Sequence, residues 1–138
     1  MTKALPQAGT RLPERNVGPF SGGDLRAYAE ISGDNNPLHL DAELAQSVGL
    51  AAPPVHGMLL FAAFEPILND WRPDLRIERL SGRFTQPVPS GEAVSLSGRV
   101  MRVSGGDKPR ILLRLMANGA SRAPAIVGEA VLVPREAA

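Results

Sequence analysis

From Val94 onward the apolar residues fall on alternate positions. Val94, Leu96 and Val100 alternate with Ser95, Ser97 and Arg99, and Ile111, Leu113 and Leu115 alternate with Leu112, Arg114 and Met116. A period of two puts one set of side chains on a buried face and the other on the opposite face, so both stretches predict half-buried β-strands. Ser104-Gly105-Gly106-Asp107 predicts a hairpin loop between them, and Ala125 to Val133 predicts a last strand stopped by Pro134. The first half of the chain has a different rhythm. Leu25, Tyr28, Ala29 and Ile31 form a partly apolar helical face behind Ser21, whose hydroxyl can cap the helix with Asp24 at the capping-box position. Asp41 predicts the cap of a short second helix, Ala42 to Val48, which Gly49 ends in the left-handed conformation. Met58 to Phe64 is apolar on nearly every side, the pattern of a buried central helix. Pro66 inside that run predicts a kink or a break, with Trp71-Arg72-Pro73 outside the helix. Helices first and a meander of strands afterwards make an α+β fold.

A chain of 138 residues with 43% hydrophobic content suits a single domain, 1–138, with a core of its own. A domain of this size leaves apolar surface that pairing with another subunit would cover. The absence of cysteine excludes disulfides and thiolate metal sites and fits a reducing, cytoplasmic compartment. With a formal charge of +1 and no basic run interleaved with aromatics, no nucleic-acid surface is expected. Residues 1–17 combine prolines and charges without an apolar segment, so they read as an irregular arm, neither signal peptide nor membrane anchor.

Chemistry-bearing residues collect between the two rhythms. Ser32-Gly33-Asp34-Asn35-Asn36-Pro37-Leu38-His39 and Val55-His56-Gly57-Met58 bring together a carboxylate, amides and both histidines of the chain. Pro37 fixes its own φ and biases Asn36 away from the helical region. The first helix should therefore stop near Gly33, and the chain should run extended toward His39 across a turn that can aim Asp34 and His39 into one pocket. Asp and Asn are also ordinary turn formers, and a lone histidine is often packed or solvated, so these residues by themselves leave both a turn and a site open. A metal held by Asp34, His39 and His56 matches no standard zinc spacing, and no metal or other cofactor is expected. Gly57, at the head of the apolar helix, has an N–H without an intrahelical acceptor and no side chain to block approach. That suits ordinary helix entry or the binding of a developing oxyanion.

The run from Ser32 to Asp41, with Ala45 and then Val55-His56-Gly57-Met58-Leu59, resembles the hydratase 2 motif of the MaoC-like, (R)-specific enoyl-CoA hydratases. The similarity is dense from Phe20 to Leu68, and Phe84-Thr85-Gln86-Pro87-Val88 with Gly91-Glu92 resembles the family's next block more loosely. The resemblance implies a hot-dog fold, a long central helix wrapped by a curved antiparallel sheet. It implies cofactor-free, (R)-specific hydration of trans-2-enoyl-CoA, or dehydration of the (R)-3-hydroxyacyl thioester, within fatty acid metabolism. It also implies a homodimer whose sheets join, with a heteromeric partner as the other possibility and the acyl pocket near the interface. By the resemblance Asp34 and His39 become the catalytic pair, with Asn36 as a supporting polar residue; beside them Gly57 reads as the oxyanion donor, and His56 as a supporting residue that introduces Gly57 at the helix entry rather than a second catalyst. Two positions depart from the pattern. Glu65 stands where many relatives carry a small hydroxyl residue, and its carboxylate would either raise the pKa of Asp34 or point away. Leu44 replaces a common aromatic. A hot-dog acyl-CoA thioesterase and a non-catalytic partner of a heteromeric dehydratase share the fold, the second kept open by Glu65 and opposed by the retention of Asp34 and His39. Neither coenzyme A nor acyl carrier protein is favoured as carrier of the acyl group. Arg72, Arg76 and Arg79 can meet phosphates of either or be plain solvated charges.

Overall fold

The computed structural model describes residues 4–121 and 123–136. In chain order its elements are β1 (Arg15–Val17), α1 (Gly22–Ser32), a 3-10 turn (Pro37–His39), α2 (Ala42–Ser47), α3 (Gly57–Ala62), α4 (Phe64–Trp71), β2 (Leu75–Phe84), β3 (Val94–Ser104), β4 (Arg110–Asn118) and β5 (Ile126–Pro134). All five strands form one antiparallel sheet in the order β1-β3-β4-β5-β2. The meander predicted from the alternation is β3-β4-β5, and Val100, Leu113 and Ala130 lie side by side across it, each fully buried. Pro134 is the last residue of β5 rather than the first residue beyond it. A terminal strand position is one that proline tolerates.

The inner face of the sheet receives α3 and α4 through Leu60, Phe61, Phe64, Ile67 and Leu68, which share one core with the strand residues. The helical run is broken at Ala63, three residues ahead of Pro66. Pro66 has no N–H to offer the carbonyl of Ala62, and its ring crowds that turn. Two expectations are corrected here. Trp71 is the last residue of α4 rather than outside it, and Met58 is 56% exposed, so the helix is apolar all round without being buried all round. Its Met58 side faces the mouth of a pocket.

At the front of the chain α1 starts as predicted. Ser21 accepts from the Asp24 N–H, Asp24 accepts from the Ser21 N–H, and Gly33 closes the helix at φ 79° with its N–H donating to the Ala29 carbonyl. Gly49 takes φ 88° after α2. The arm is less irregular than the sequence suggests. Arg15–Val17 pair with Leu96, Ser95 and Val94, and Leu12 is 6% exposed in the core. The sequence reading also missed β2. Its inward residues Leu75 and Ile77 are followed by a register shift before Arg79, so the alternation loses phase midway through the strand. Gly128 is what lets β5 and β2 close on each other, because a Cβ there would lie 2.6 Å from the Ser81 carbonyl oxygen. Arg72, one of three arginines considered for carrier phosphates, is 5% exposed and donates through Nε and Nη2 to Asp74, each at 2.7 Å. It is a structural ion pair joining the end of α4 to the start of β2.

Candidate active site

The segment after α1 is shaped by its own amides. Gly33 turns the chain, the Asn36 N–H donates to Asp34 Oδ1 at 3.3 Å, and Asn36 Oδ1 accepts from the Leu38 N–H at 3.0 Å. Asn36 is extended, at φ −55° and ψ 123°, as the following proline demands. From Pro37 the chain tightens into the 3-10 turn instead of running extended to His39, because a proline at the first position of a turn is pre-set for it and Asn36 caps it. This brings His39 Nε2 to 4.0 Å from Asp34 Oδ2, with the His39 side chain 15% exposed and that of Asp34 50% exposed. Asn36 serves the site as the brace of this turn.

The other ring nitrogen of His39 fixes the chemistry of Nε2. His39 Nδ1 lies 2.7 Å from the Pro54 carbonyl oxygen. A carbonyl only accepts, so in the neutral ring Nδ1 carries the hydrogen and Nε2 keeps its lone pair toward Asp34. Pro54 is itself held in place, with the Val55 N–H donating to the Val88 carbonyl at 2.7 Å and Pro54 bridging Pro89.

His56 is 1% exposed and has more to do than introduce Gly57. Its Nε2–H donates to the backbone carbonyl of Asp34 at 3.2 Å, its ring stacks on His39 at 3.9 Å with 22° between planes, and Tyr28 meets it edge-on at 4.8 Å. Burial pushes its pKa below the ordinary imidazole value, outweighing the bond to the Asp34 carbonyl, which favours the charged ring. His56 is thus a neutral imidazole wedged behind both Asp34 and His39.

Donor atoms of Asp34, His39 and His56 lie within 4.8 Å of one another, close enough for a metal to be tested on geometry. A metal must lie near the plane of every imidazole whose lone pair it takes, at about 2.0–2.1 Å from the nitrogen. Two rings stacked 3.9 Å apart and nearly parallel share no such point nearby, and one nitrogen of each is committed to a carbonyl. The three residues do not fit a metal.

Asp34 and His39 line a cavity of about 460 Å³ together with Gly57, Phe84, Val88 and Ile126. The wall from Phe84 to Val88 is the second block noted in the sequence, whereas Glu92 of that block accepts a hydrogen bond from the Ala120 N–H and fixes a loop. Gly57 is the first residue of α3, a position whose N–H has no acceptor within the helix. A Cβ on it would lie 2.9 Å from the ring of Phe84, which is 53% exposed and packs edge-on against Phe61. Glu65 is exposed on α4 and is not among the described residues lining this cavity, which answers the question its carboxylate raised, and Leu44 is likewise 38% exposed and outside it. Gly57→Ala is expected to keep unfolding free energy within about 1 kcal/mol, since only a flexible ring has to move. By pushing that ring into the cavity it should lower kcat/KM about tenfold or more in steady-state kinetics.

Three contributors were not visible as side-chain chemistry: the Pro54 carbonyl, the Tyr28 ring behind His56, and the Phe84 ring over Gly57. Residues 5–112 match the model of the MaoC like domain. The chain belongs to the MaoC-like domain family. Within it, the chain is 35% identical over 115 residues to the (R)-specific enoyl-CoA hydratase of Aeromonas caviae, covering 82% of this chain and 85% of that protein. It is 39% identical over 93 residues to the mitochondrial 3-hydroxyacyl-[acyl-carrier-protein] dehydratase of Arabidopsis thaliana, covering 67% of this chain and 55% of that protein, so it spans about half the length of the plant relative. The solved (R)-hydratase from A. caviae superposes with a TM-score of 0.84 at 30% identity, over 97% of this chain and 100% of that one. A chain of the ChsH1-ChsH2 complex from Mycobacterium tuberculosis superposes at 0.80 with 20% identity, over 95% and 100%, a likeness of fold alone. The MaoC-like chain therefore has the hot-dog fold, with its central helix in two segments.

Proposed function

We propose that this chain adds water across the double bond of a trans-2-enoyl thioester to give the (R)-3-hydroxyacyl thioester, and removes it in the reverse direction. The observation that carries the reading is the orientation of His39, whose Nδ1–H is tied to Pro54 while Nε2 faces Asp34 across 4.0 Å at the wall of an apolar cavity. The two curated relatives, both named as hydro-lyases acting on enoyl or 3-hydroxyacyl thioesters, support the reaction class, and the name of the Aeromonas enzyme supports the (R) outcome.

Hydration needs a base for water, a proton for the α-carbon and a partner for the enolate-like oxygen. A gap of 4.0 Å between nitrogen and oxygen suits one water hydrogen-bonded to both. That water loses a proton to the pair, its oxygen bonds to C3, and the electrons of the double bond move onto the thioester oxygen. The Gly57 N–H meets that oxygen. As the enolate collapses, the pair returns the same proton to C2, so no co-reactant is consumed. An oxyanion donor of this kind is worth about 3 kcal/mol of barrier. The acyl chain lies against Phe84, Val88 and Ile126. The proposal includes a homodimer, for which exposed Met58 and Phe84 at the rim supply apolar surface to cover. Among the described residues no helix is long and apolar enough to cross a membrane, and the lack of cysteine supports a cytoplasmic setting.

Purified protein should bleach the conjugated-thioester absorbance of crotonyl-CoA and yield the (R)-3-hydroxy product on chiral analysis. Release of free thiol from acyl-CoA without hydration would replace this reading with the thioesterase. Binding without turnover would replace it with the non-catalytic partner.

A further inference from the structure

The ring of His56 is tied down by less than its burial suggests. It is 1% exposed, yet its Nδ1 has no hydrogen-bond partner among the described residues, so the single bond from Nε2–H to the Asp34 carbonyl is what holds it. One hydrogen bond fixes a point of a ring and leaves its plane free to pivot. The plane is set by contact with two other rings: His39, stacked at 3.9 Å, and Tyr28, at 4.8 Å with 60° between planes. His39 is the group being positioned, which leaves Tyr28 as the support from outside the catalytic pair. Its own footing is firm. Tyr28 lies in the middle of α1 on the face of Leu25 and Ala29, both buried in the core, between the Ser21 cap and the Gly33 turn. The same helix runs through Gly33 into Asp34, so α1 places Asp34 directly and reaches His39 through Tyr28 and His56. Tyr28 also lines a groove of about 410 Å³ with Phe20, Ile31 and Leu59, and Ile31 is 86% exposed, so the groove is open to water. His56 lines neither this groove nor the catalytic cavity.

We infer that Tyr28 is a positioning residue for the catalytic pair: its ring fixes the plane of His56, and through it that of His39, and it is the partition between His56 and the water of the groove. The inference rests on the proposed hydratase function for its kinetic readout alone, since the setting of His56 can be measured without turnover. A leucine could fill the volume of the ring but would offer no flat surface, and a pivot of His56 carries His39 with it, because stacked rings move as a pair. A displacement of that kind at a reacting group is felt in the chemical step rather than in binding. The partition has its own consequence. Burial holds His56 below the ordinary imidazole value, and the other charged or titratable groups facing it, the Asp34 carboxylate and His39, act on its charge in opposite directions. Opening the groove to His56 restores water on one side, so its pKa should rise toward the ordinary 6.5.

Tyr28→Phe, Tyr28→Leu and Tyr28→Ala separate the ring, the volume and the partition. Each is compared with wild type in crotonyl-CoA kinetics and by NMR titration of the imidazoles, of which the chain has two, with thermal unfolding as the control for folding. Tyr28→Leu should lower kcat at least about tenfold with KM within about twofold, and Tyr28→Phe should recover most of that loss. Tyr28→Ala adds a pH signature. Its His56 should take up a proton closer to pH 6.5 than in wild type, and its kcat should fall more steeply toward acid, because a charge on His56 opposes the one that His39 acquires in turnover. Full kcat in Tyr28→Leu would reduce Tyr28 to core filling, Tyr28→Phe as slow as Tyr28→Leu would move the role to the hydroxyl, and an unchanged His56 titration in Tyr28→Ala would remove the partition; each overturns the assignment. Should Tyr28→Ala not fold, the imidazole signals of Tyr28→Leu decide: displaced His39 and His56 signals uphold the positioning role, and wild-type signals overturn it. If wild type hydrates no enoyl thioester, the proposed function fails while the same imidazole measurements still uphold or overturn the placement of His56 by Tyr28.

Discussion

Asp34→Asn and His39→Ala are each expected to lower crotonyl-CoA hydration by at least about a hundredfold, the usual contribution of a positioned acid or base. In Asp34→Asn the amide oxygen can still accept the Asn36 N–H, so the turn survives, but the group neither stabilises a protonated His39 across 4.0 Å nor takes a proton from water. In His39→Ala the lone pair at Nε2 is gone and the Pro54 carbonyl loses its donor. Because one water is shared between the two groups, the double variant should be little worse than either single one, as for residues that act as a unit. Full activity in either single variant, in protein that unfolds at the wild-type temperature, would remove the pair from the mechanism.

His56→Ala should damage both fold and catalysis. Removing a fully buried ring leaves a cavity between Tyr28 and His39 and an Asp34 carbonyl without its donor, a loss of about 2–4 kcal/mol in unfolding free energy. With the stacking surface gone, His39 and Asp34 drift from alignment, and kcat should fall about tenfold to a hundredfold with little change in KM. His56→Asn, which keeps a donor for the carbonyl, should recover part of the activity, a result that a purely space-filling role would not produce. The acid side of the stability profile provides a separate check. Burial holds His56 below its ordinary value of 6.5, so as the pH drops under that value the unfolded chain takes up a proton that the folded one refuses. The stabilisation is fully present above pH 6.5 and is lost as the pH falls below it. Urea unfolding at pH 7.5 and 5.5 should show this loss in wild type and much less of it in His56→Asn. An unchanged pH dependence would mean that His56 is not held neutral.

The parts of the fold that showed in the sequence are those whose signal is local. Ser21 with Asp24 and Gly33 marked both ends of α1, and alternation marked β4 and the part of β3 up to Val100, ahead of its own register shift. β2 was hidden because the register shift around Glu78 moves its apolar residues out of step, and β1 because three residues carry no period. The 3-10 turn was misread as extended chain because Pro37 restricts the residue before it yet itself starts a turn readily. Asp34, His39 and Gly57, picked from two nearby segments of sequence, line one cavity. The part played by His56 did not show, since its bond is to a backbone carbonyl 22 positions away.

The same holds, with a wider consequence, for the contact between His39 and Pro54. Its acceptor is a main-chain oxygen, which every amino acid supplies, so no substitution at position 54 can delete the group that chooses which nitrogen of His39 stays bare. Substitution can only redirect it, and two prolines, the Val55–Val88 hydrogen bond and the bridge to Pro89 resist that. The setting of the base is inherited through the course of the backbone rather than through the identity of a residue. A relative that keeps the path of this segment can change the residue at position 54 and still share the tautomer, and a comparison of side chains alone would not reveal why.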